Sequence, residues 1–249
     1  MRDGIKREIL FTADDLGLDE QTNLAIEHSH RHGALNAASL MVGQPGTLQA
    51  LEIARRNPAL QIGWHFHACD SEPLTCPMWP WGRSPVRAGF ALAAWPSARS
   101  LVRRELSEQW KAFLATGLDC RFINGHQHLH IHPFIAREMF RLVSGSFTGW
   151  VRAFEPRFFG TNHEGKLRFR ILRRYSRHWL RRWPSSLRTQ SLWGLDRLFC
   201  MQAVEIEQVL PTLTAGRHEF LFHPRTANDA DQRALVELRT LCRQPIHQQ

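Results

Sequence analysis

The stretch "EILFTADDLGLDEQTNLAIEHSHRHG", residues 8–33, decides the fold. Its first part, "EILFTADD" (8–15), is a brief apolar run that ends in two carboxylates, and it predicts a short buried strand. Its second part, "EQTNLAIEHSHRHG" (20–33), predicts a helix with Leu24 and Ile26 apolar and Gly33 as its stop. The strand-then-helix unit recurs. "AASLMVG" predicts a second strand, and "TLQALEIARRNP" a second helix ended by Asn57 and Pro58. "LQIGWHF", "CRFING", "GWVRAFE", "TQSLWGL" and "HEFLFHP" predict further strands. Between and after them, helices are expected at about 98–116, in "FIAREMFRLV", in "EIEQVLPTL" (broken by Pro211) and in "DQRALVELRTLCR". About seven strands alternating with helices argue an α/β parallel sheet or barrel, with functional groups at the C-terminal strand ends.

One domain over residues 1–249 is expected, since neither an internal repeat nor a linker interrupts the alternation. Two segments stand apart from it. Residues 68–97 form a long Pro- and Trp-rich loop, long enough to expect a functional role. Residues 166–188 are basic and aromatic. With 43% hydrophobic residues the composition is ordinary for a globular protein. No apolar run approaches the ~20 residues of a membrane span. The start lacks a signal-peptide core, so a cytoplasmic protein is expected. Five scattered cysteines without a CxxC pair exclude a disulfide framework and a zinc ribbon. Reduced thiols are the expectation.

The polar residues that stand out fall at strand ends. Asp14 and Asp15 end the first strand, His65 and His67 the third, and His126 opens a run after the fourth. Arg152 lies in the fifth strand and His223 ends the last. In a parallel α/β fold these positions converge on one mouth. Carboxylate and neutral imidazole together make an oxygen–nitrogen ligand set for one divalent ion such as Zn²⁺, Mn²⁺, Co²⁺ or Mg²⁺. Adjacent aspartates in extended chain point oppositely, so Asp14 and Asp15 are expected to divide into one ligand and one base. Metal-bound water, a carboxylate base and a histidine acid outline metal-assisted hydrolysis. The alternative is that the pair caps the next helix and the histidines are ordinary surface residues.

"NGHQHLHIHP" (124–133) places histidine at 126, 128, 130 and 132, which on an extended strand would crowd four rings onto one face. His28, His30 and His32 also alternate, but no acidic ligand accompanies them, and solvent-facing positions are expected.

At these residues the chain resembles the YdjC/ChbG carbohydrate deacetylases, and within them the hopanoid-associated branch called HpnK. The resemblance rests on "TADDLGLDEQTNLAIEHSHRHGALNAASLMVG", "IGWHFH", "INGHQHLHIHP" and "FLFHP", in that order, from about residue 7 to 227. It implies a distorted, NodB-like (β/α) barrel that hydrolyses an N-acetyl group from an acetamido sugar with one divalent ion, Mg or Zn. It further implies Asp15, His65 and His126 as metal ligands, Asp14 as base and His223 as general acid. Arg152 would orient Asp14 and hold it ionised. His67, His128 and His130 are expected around the substrate. Ala68, Cys69 and Ser71 depart from the family's Leu, Thr and Gly, while Pro73 and Leu74 keep register. The substrate implied is an acetylated amino sugar on a hopanoid or similar glycolipid. A soluble chito-oligosaccharide, or a non-catalytic sugar- or lipid-binding role, are the alternatives. Trp79, Trp81 and Trp95 would stack on sugar rings or cover a lipid tail.

The net charge of +9 rests on 32 basic residues, nine of them between Lys166 and Arg188. On a helix, Leu167, Ile171, Tyr175, Trp179 and Trp183 would form an apolar stripe flanked by arginines. Either that stripe packs on the barrel, or it lies in a membrane interface with arginines on anionic lipid. Peripheral contact with the inner membrane face follows from the second reading. No base-reading motif points to nucleic acid. A homodimer is a further expectation.

Overall fold

Strand β1 (Arg7–Leu16) pairs in parallel with β2 (Ala37–Leu40) on one side and β7 (Gly216–Phe222) on the other. With β3 (Gln61–Phe66), β4 (Phe122–Gly125), β5 (Trp150–Val151) and β6 (Ser191–Trp193), they form one parallel sheet in the order β5-β4-β3-β2-β1-β7-β6. Isolated bridges from Val151 to Arg188 and from Pro156 to Leu192 bring the two edges together, so the sheet curls into the expected distorted barrel. The computed structural model describes residues 6–159 and 166–243, the side chains of 166–168 and 241–243 excepted. Leu167 of the expected stripe and Cys242 fall among those exceptions.

Helices α1 (Glu20–His32), α2 (Thr47–Arg56), α4 (Pro96–Ala115), α5 (Pro133–Val143), α6 (Lys166–Trp179), α7 (Ala203–Val209) and α8 (Ala230–Arg243) connect the strands. Asp19 starts α1 by accepting a hydrogen bond from Thr22 N at 2.7 Å. Pro96 and Pro133 sit in first turns, where the missing N–H is not needed. Pro211 ends α7 in a 3-10 turn over Leu210–Thr212, as expected.

Period-two alternation sorts the strand side chains into two populations. Phe11, Ala13, Ala38, Leu40, Ile62, Trp64, Phe66, Ile123, Phe220 and Phe222 join the main core between sheet and helices. The inward residues begin with an apolar floor of Leu10, Ala37, Phe122 and Trp150. Above that floor, Thr12, Ser39, His65, Asn124, Arg152 and Glu219 are buried polar groups.

Three expectations change. The 68–97 loop holds a helix, α3 (Pro85–Ala94), whose N-cap Ser84 accepts from Arg87 N; its Pro and Gly content hid it. The fifth strand is only Trp150–Val151, because the chain beyond it bends toward β6 and Ala153 N donates to Thr189 Oγ1. The four-histidine run is not extended: it is a 3-10 turn, His126–Ile131, with Gln127 and His128 at φ 52° and 56°. That left-handed pair separates rings that a strand would have stacked. Among the described residues no helix is long and apolar enough to cross a membrane.

Candidate metal centre and active site

Asp15, His65 and His126 are brought together at the C-terminal ends of β1, β3 and β4, with donor atoms that all lie within 4.8 Å of one another. The sequence separates them widely; the parallel barrel makes them neighbours. At the end of β1 the register shifts between Ala13 and Leu16, and Asp15 takes φ 68°. A bulge of this kind re-aims a side chain. It lets both aspartates serve the site from adjacent positions, which straight extended chain would not allow. Two residues on, Gly17 has φ 93°, and a Cβ there would stand 2.6 Å from Met41 O.

The donor set fits a divalent cation. Asp15 Oδ1 is 3.3 Å from His65 Nε2 and 2.8 Å from His126 Nδ1. The Nε2 atoms of both rings are buried without a hydrogen-bond partner. Buried imidazole nitrogens without partners are costly unless a ligand takes them. His65 Nδ1 faces Asn124 Oδ1 at 2.6 Å and Ser39 Oγ at 3.1 Å. Donation from Nδ1 to Asn124 leaves the Nε2 lone pair turned toward Asp15. Burial opposes charge on His65, but Asp14 and Asp15 raise its pKa overall. Burial likewise opposes charge on Asp15, and His126 and His65 hold its carboxyl well below the usual range.

Asp14 faces the other way. Its Oδ1 accepts from Ser39 Oγ at 2.8 Å and Asn124 Nδ2 at 2.9 Å. Arg152 binds both its oxygens, Nη1 to Oδ2 at 2.6 Å and Nη2 to Oδ1 at 2.9 Å. Burial would raise the Asp14 pKa; the Arg152 guanidinium and His65 outweigh it and drive it far below the ordinary value. Arg152 also binds Glu219, Nη2 to Oε1 at 2.6 Å, so one buried cation serves two buried carboxylates. Burial raises Glu219 against the lowering effect of Arg152.

His223, at the end of β7, is half-buried, with its ring 5.4 Å from that of Phe199. Burial lowers its pKa while Asp15 and Asp14 pull it back up. The other histidines separate by their contacts. His67 is fully buried, with Nδ1 on Ser71 Oγ and Nε2 on Val42 O, and burial pushes its pKa down to about 3. No ring nitrogen is left for the substrate contact expected of it. His130 donates Nε2–H to Arg152 O and lies beneath the mouth, its pKa pushed down to about 3 by burial and by Arg152. His128 packs edge-on to Phe154 and keeps a buried Nδ1 without a partner. His132 caps α5, accepting from Phe134 N. His28 and His32 are exposed and stack on each other at 4.6 Å, away from the site.

Trp79 and Trp81 are also reassigned. They stack on each other at 5.6 Å, each only 5% exposed, with indole N–H groups on Ser71 Oγ and Ala68 O. They build the loop and offer no platform to a sugar.

Four residues at the site escaped the sequence reading: Ser39, Asn124, Glu219 and Arg225. Asn124 and Glu219 left a signal, being polar positions inside the apolar strands "RFING" and "HEFLF". Arg225 left none. Its Nη2 donates to Asp15 Oδ2 at 2.7 Å, and its guanidinium lies over Phe199, 5.7 Å from the ring centre.

A family model described as YdjC-like protein matches residues 8–249. The carbohydrate deacetylase of Brevibacillus brevis is 32% identical over 140 residues, 55% of each chain. That of Vibrio vulnificus (strain YJ016) is 31% identical over 135 residues, 51% of each. The chain thus spans about half the length of the curated relatives it matches. Among solved structures, an Enterococcus faecalis V583 protein provisionally described as a cellobiose-phosphate cleavage protein superposes with a TM-score of 0.62. The two are 15% identical, and the match covers 94% of this chain and 90% of that one, a likeness of fold.

Proposed function

The chain belongs to the YdjC-like family, and on that premise we propose that it is a metal-dependent hydrolase that removes an N-acetyl group from an acetamido sugar. The observation that carries this reading is the Asp15, His65 and His126 cluster, whose donor atoms lie within 4.8 Å of one another and whose two Nε2 atoms are buried without a hydrogen bond. The names of the deacetylase relatives support it. Held by those three residues, a divalent ion, Mg or Zn, would polarise the acetyl carbonyl and acidify a bound water.

The chain's own groups then divide the proton work. Asp14 stands beside the cluster, ionised, and would take the proton of the attacking water. The contacts that keep Asp14 charged also make it a weak base; Glu219 offsets this by drawing on the same guanidinium. Arg152 and Asn124 fix the direction of the Asp14 oxygens. His223, across the site, would give a proton to the departing amine. His128, with a free Nδ1 under the mouth, would meet the sugar, and His130 would hold the Arg152 backbone in place.

The finer reading follows the resemblance to the HpnK branch: a cytoplasmic enzyme, at the inner membrane face, acting on an amino sugar carried by a hopanoid or similar glycolipid. A soluble chito-oligosaccharide is the alternative substrate. The test is acetate release by metal-reconstituted protein from an N-acetylglucosaminyl lipid and from chitobiose, side by side. Asp14→Asn is expected to retain the metal and to lose acetate release at least a hundredfold, in line with removal of a general base. Release from neither substrate would refute the enzyme reading.

A further inference from the structure

Two helices beside the mouth carry large apolar side chains that the fold leaves uncovered. On α3, Val86 and Phe90 are one turn apart and 65% and 72% exposed. On α6, Ile171 and Tyr175 are one turn apart and 49% exposed each. The adjoining face of α6 is anchored: Ser176 Oγ accepts from Phe154 N at 2.9 Å, and Leu172 packs against the cluster that includes Phe154, Leu192 and Leu221. Trp183, the end of the expected stripe, is buried against Phe140 and Phe147. The stripe therefore splits, its C-terminal end packing on the barrel and its middle facing outward. Both helices follow the C-terminal end of a strand, α3 after β3 and α6 after β5. Both also pack on the 3-10 turn that carries His126.

Charge selects the occupant. Residues 166–188 contain nine basic side chains and no Asp or Glu. Arg173 and Arg177 are taken up by Glu155. Arg170 and Arg174, on the flank of Ile171 away from Leu172, have no acidic partner among the described residues, nor has Arg87 beside Val86. Apolar chains edged by unpaired guanidinium groups match a bilayer with anionic headgroups, whose acyl boundary takes the former and whose phosphates take the latter. A second protein would cover the apolar chains without needing the surplus charge. A nucleic acid would answer the charge and leave Val86 and Phe90 in water.

We propose that the mouth side of the barrel docks on an anionic lipid bilayer through α3 and α6. This deepens the deacetylase reading in its lipid-linked form, and it is tested without turnover. The full chain would be co-sedimented with vesicles of phosphatidylcholine alone and of phosphatidylcholine with phosphatidylglycerol as roughly one third of the lipid. Retention by the anionic vesicles, relieved by salt, and passage past the neutral ones are expected. Arg170→Gln with Arg174→Gln, and separately Val86→Ser with Phe90→Ser, are each expected to lower the partition coefficient about tenfold or more. Neither pair should change the melting temperature or acetate release from a soluble substrate. Equal binding to both vesicles, binding to neither, or variants that bind like the parent would overturn the proposal. So would a dimer abolished by Phe90→Ser, or single-stranded DNA binding that needs the arginines alone. Failed docking with acetate still released would leave the deacetylase reading standing; docking without any release would leave only the docking.

Discussion

Arg152 is fully buried and holds two buried carboxylates on one guanidinium, Asp14 through both its oxygens and Glu219 at 2.6 Å. Its removal leaves two acids facing each other without a cation, and breaking a buried pair in this way costs about 3–5 kcal/mol. The cost in Arg152→Met should fall at the lower end of that range, because Glu219, already raised by burial, can accept a proton. Arg152→Lys should recover little of it, since one ammonium cannot reproduce two forked contacts. Urea unfolding of the three proteins checks this; a loss under about 1 kcal/mol in Arg152→Met would remove the triad from the account of stability. At this scale the sequence showed Asp14, Asp15, His65, His126 and His223, because each stands where a strand ends. It did not show Glu219, which lies between His218 and Phe220 inside the strand rather than at its end and whose partner lies 67 residues away. A polar residue inside a buried strand declares that it has a partner, but not which one.

Between β3 and β4 a glycine makes room for an aromatic ring. Gly63 pairs with Phe122, and two residues on, His65 pairs with Asn124. A Cβ on Gly63 would stand 2.5 Å from the Phe122 ring, which is stacked on Trp150 at 4.4 Å and cannot easily give way. Gly63→Ala should therefore destabilise the protein by about 1–3 kcal/mol, although alanine suits a strand interior better than glycine. Pushing the strands apart would also lengthen the contact between His65 Nδ1 and Asn124 Oδ1, now 2.6 Å. A thermal melt lowered by several degrees, and restored in part by Phe122→Leu in the same chain, is the expected result; a raised melting temperature would contradict it. Nearly every strand and helix was readable from periodicity. The exceptions have particular causes: α3 begins with proline and carries few polar residues, and the fifth strand leaves the sheet after two residues to meet β6. The bulge at Asp15 is a matter of backbone angle, which no side-chain pattern announces.

For the whole molecule, the apolar bulk lies between sheet and helices, while the inside of the barrel above its floor is polar. The alternation of strands and helices made the barrel legible. The polar interior was not, because a strand buried on both faces does not declare which face turns inward. This arrangement buries neutral histidines, and that has a consequence for acid stability. His67 and His130 are held near pKa 3 by burial, against about 6.5 in the unfolded chain. Between those values the unfolded state binds protons that the folded state refuses, so stability falls as pH falls. Their contribution is complete above about pH 6.5 and declines progressively toward pH 3. Asp14 and Asp15, also depressed, act with the same sign, but only below the ordinary carboxylate value near 4. His65, raised by the two aspartates, has the opposite sign, its contribution being lost as pH rises from about 6.5 through its folded value. Below about pH 6.5 His65 is charged in both states and opposes nothing, while His128, His132 and His223, also depressed, add to His67 and His130. His67 and His130 alone leave a net loss on acidification on the order of 1–3 kcal/mol per pH unit below 6. The urea midpoint of the metal-free protein should accordingly fall between pH 6.5 and 5, before the depressed carboxylates Asp14 and Asp15 titrate. His130→Asn should flatten that limb, whereas a midpoint constant from pH 7 to 5 that drops only below about 4 would assign acid sensitivity to the carboxylates alone.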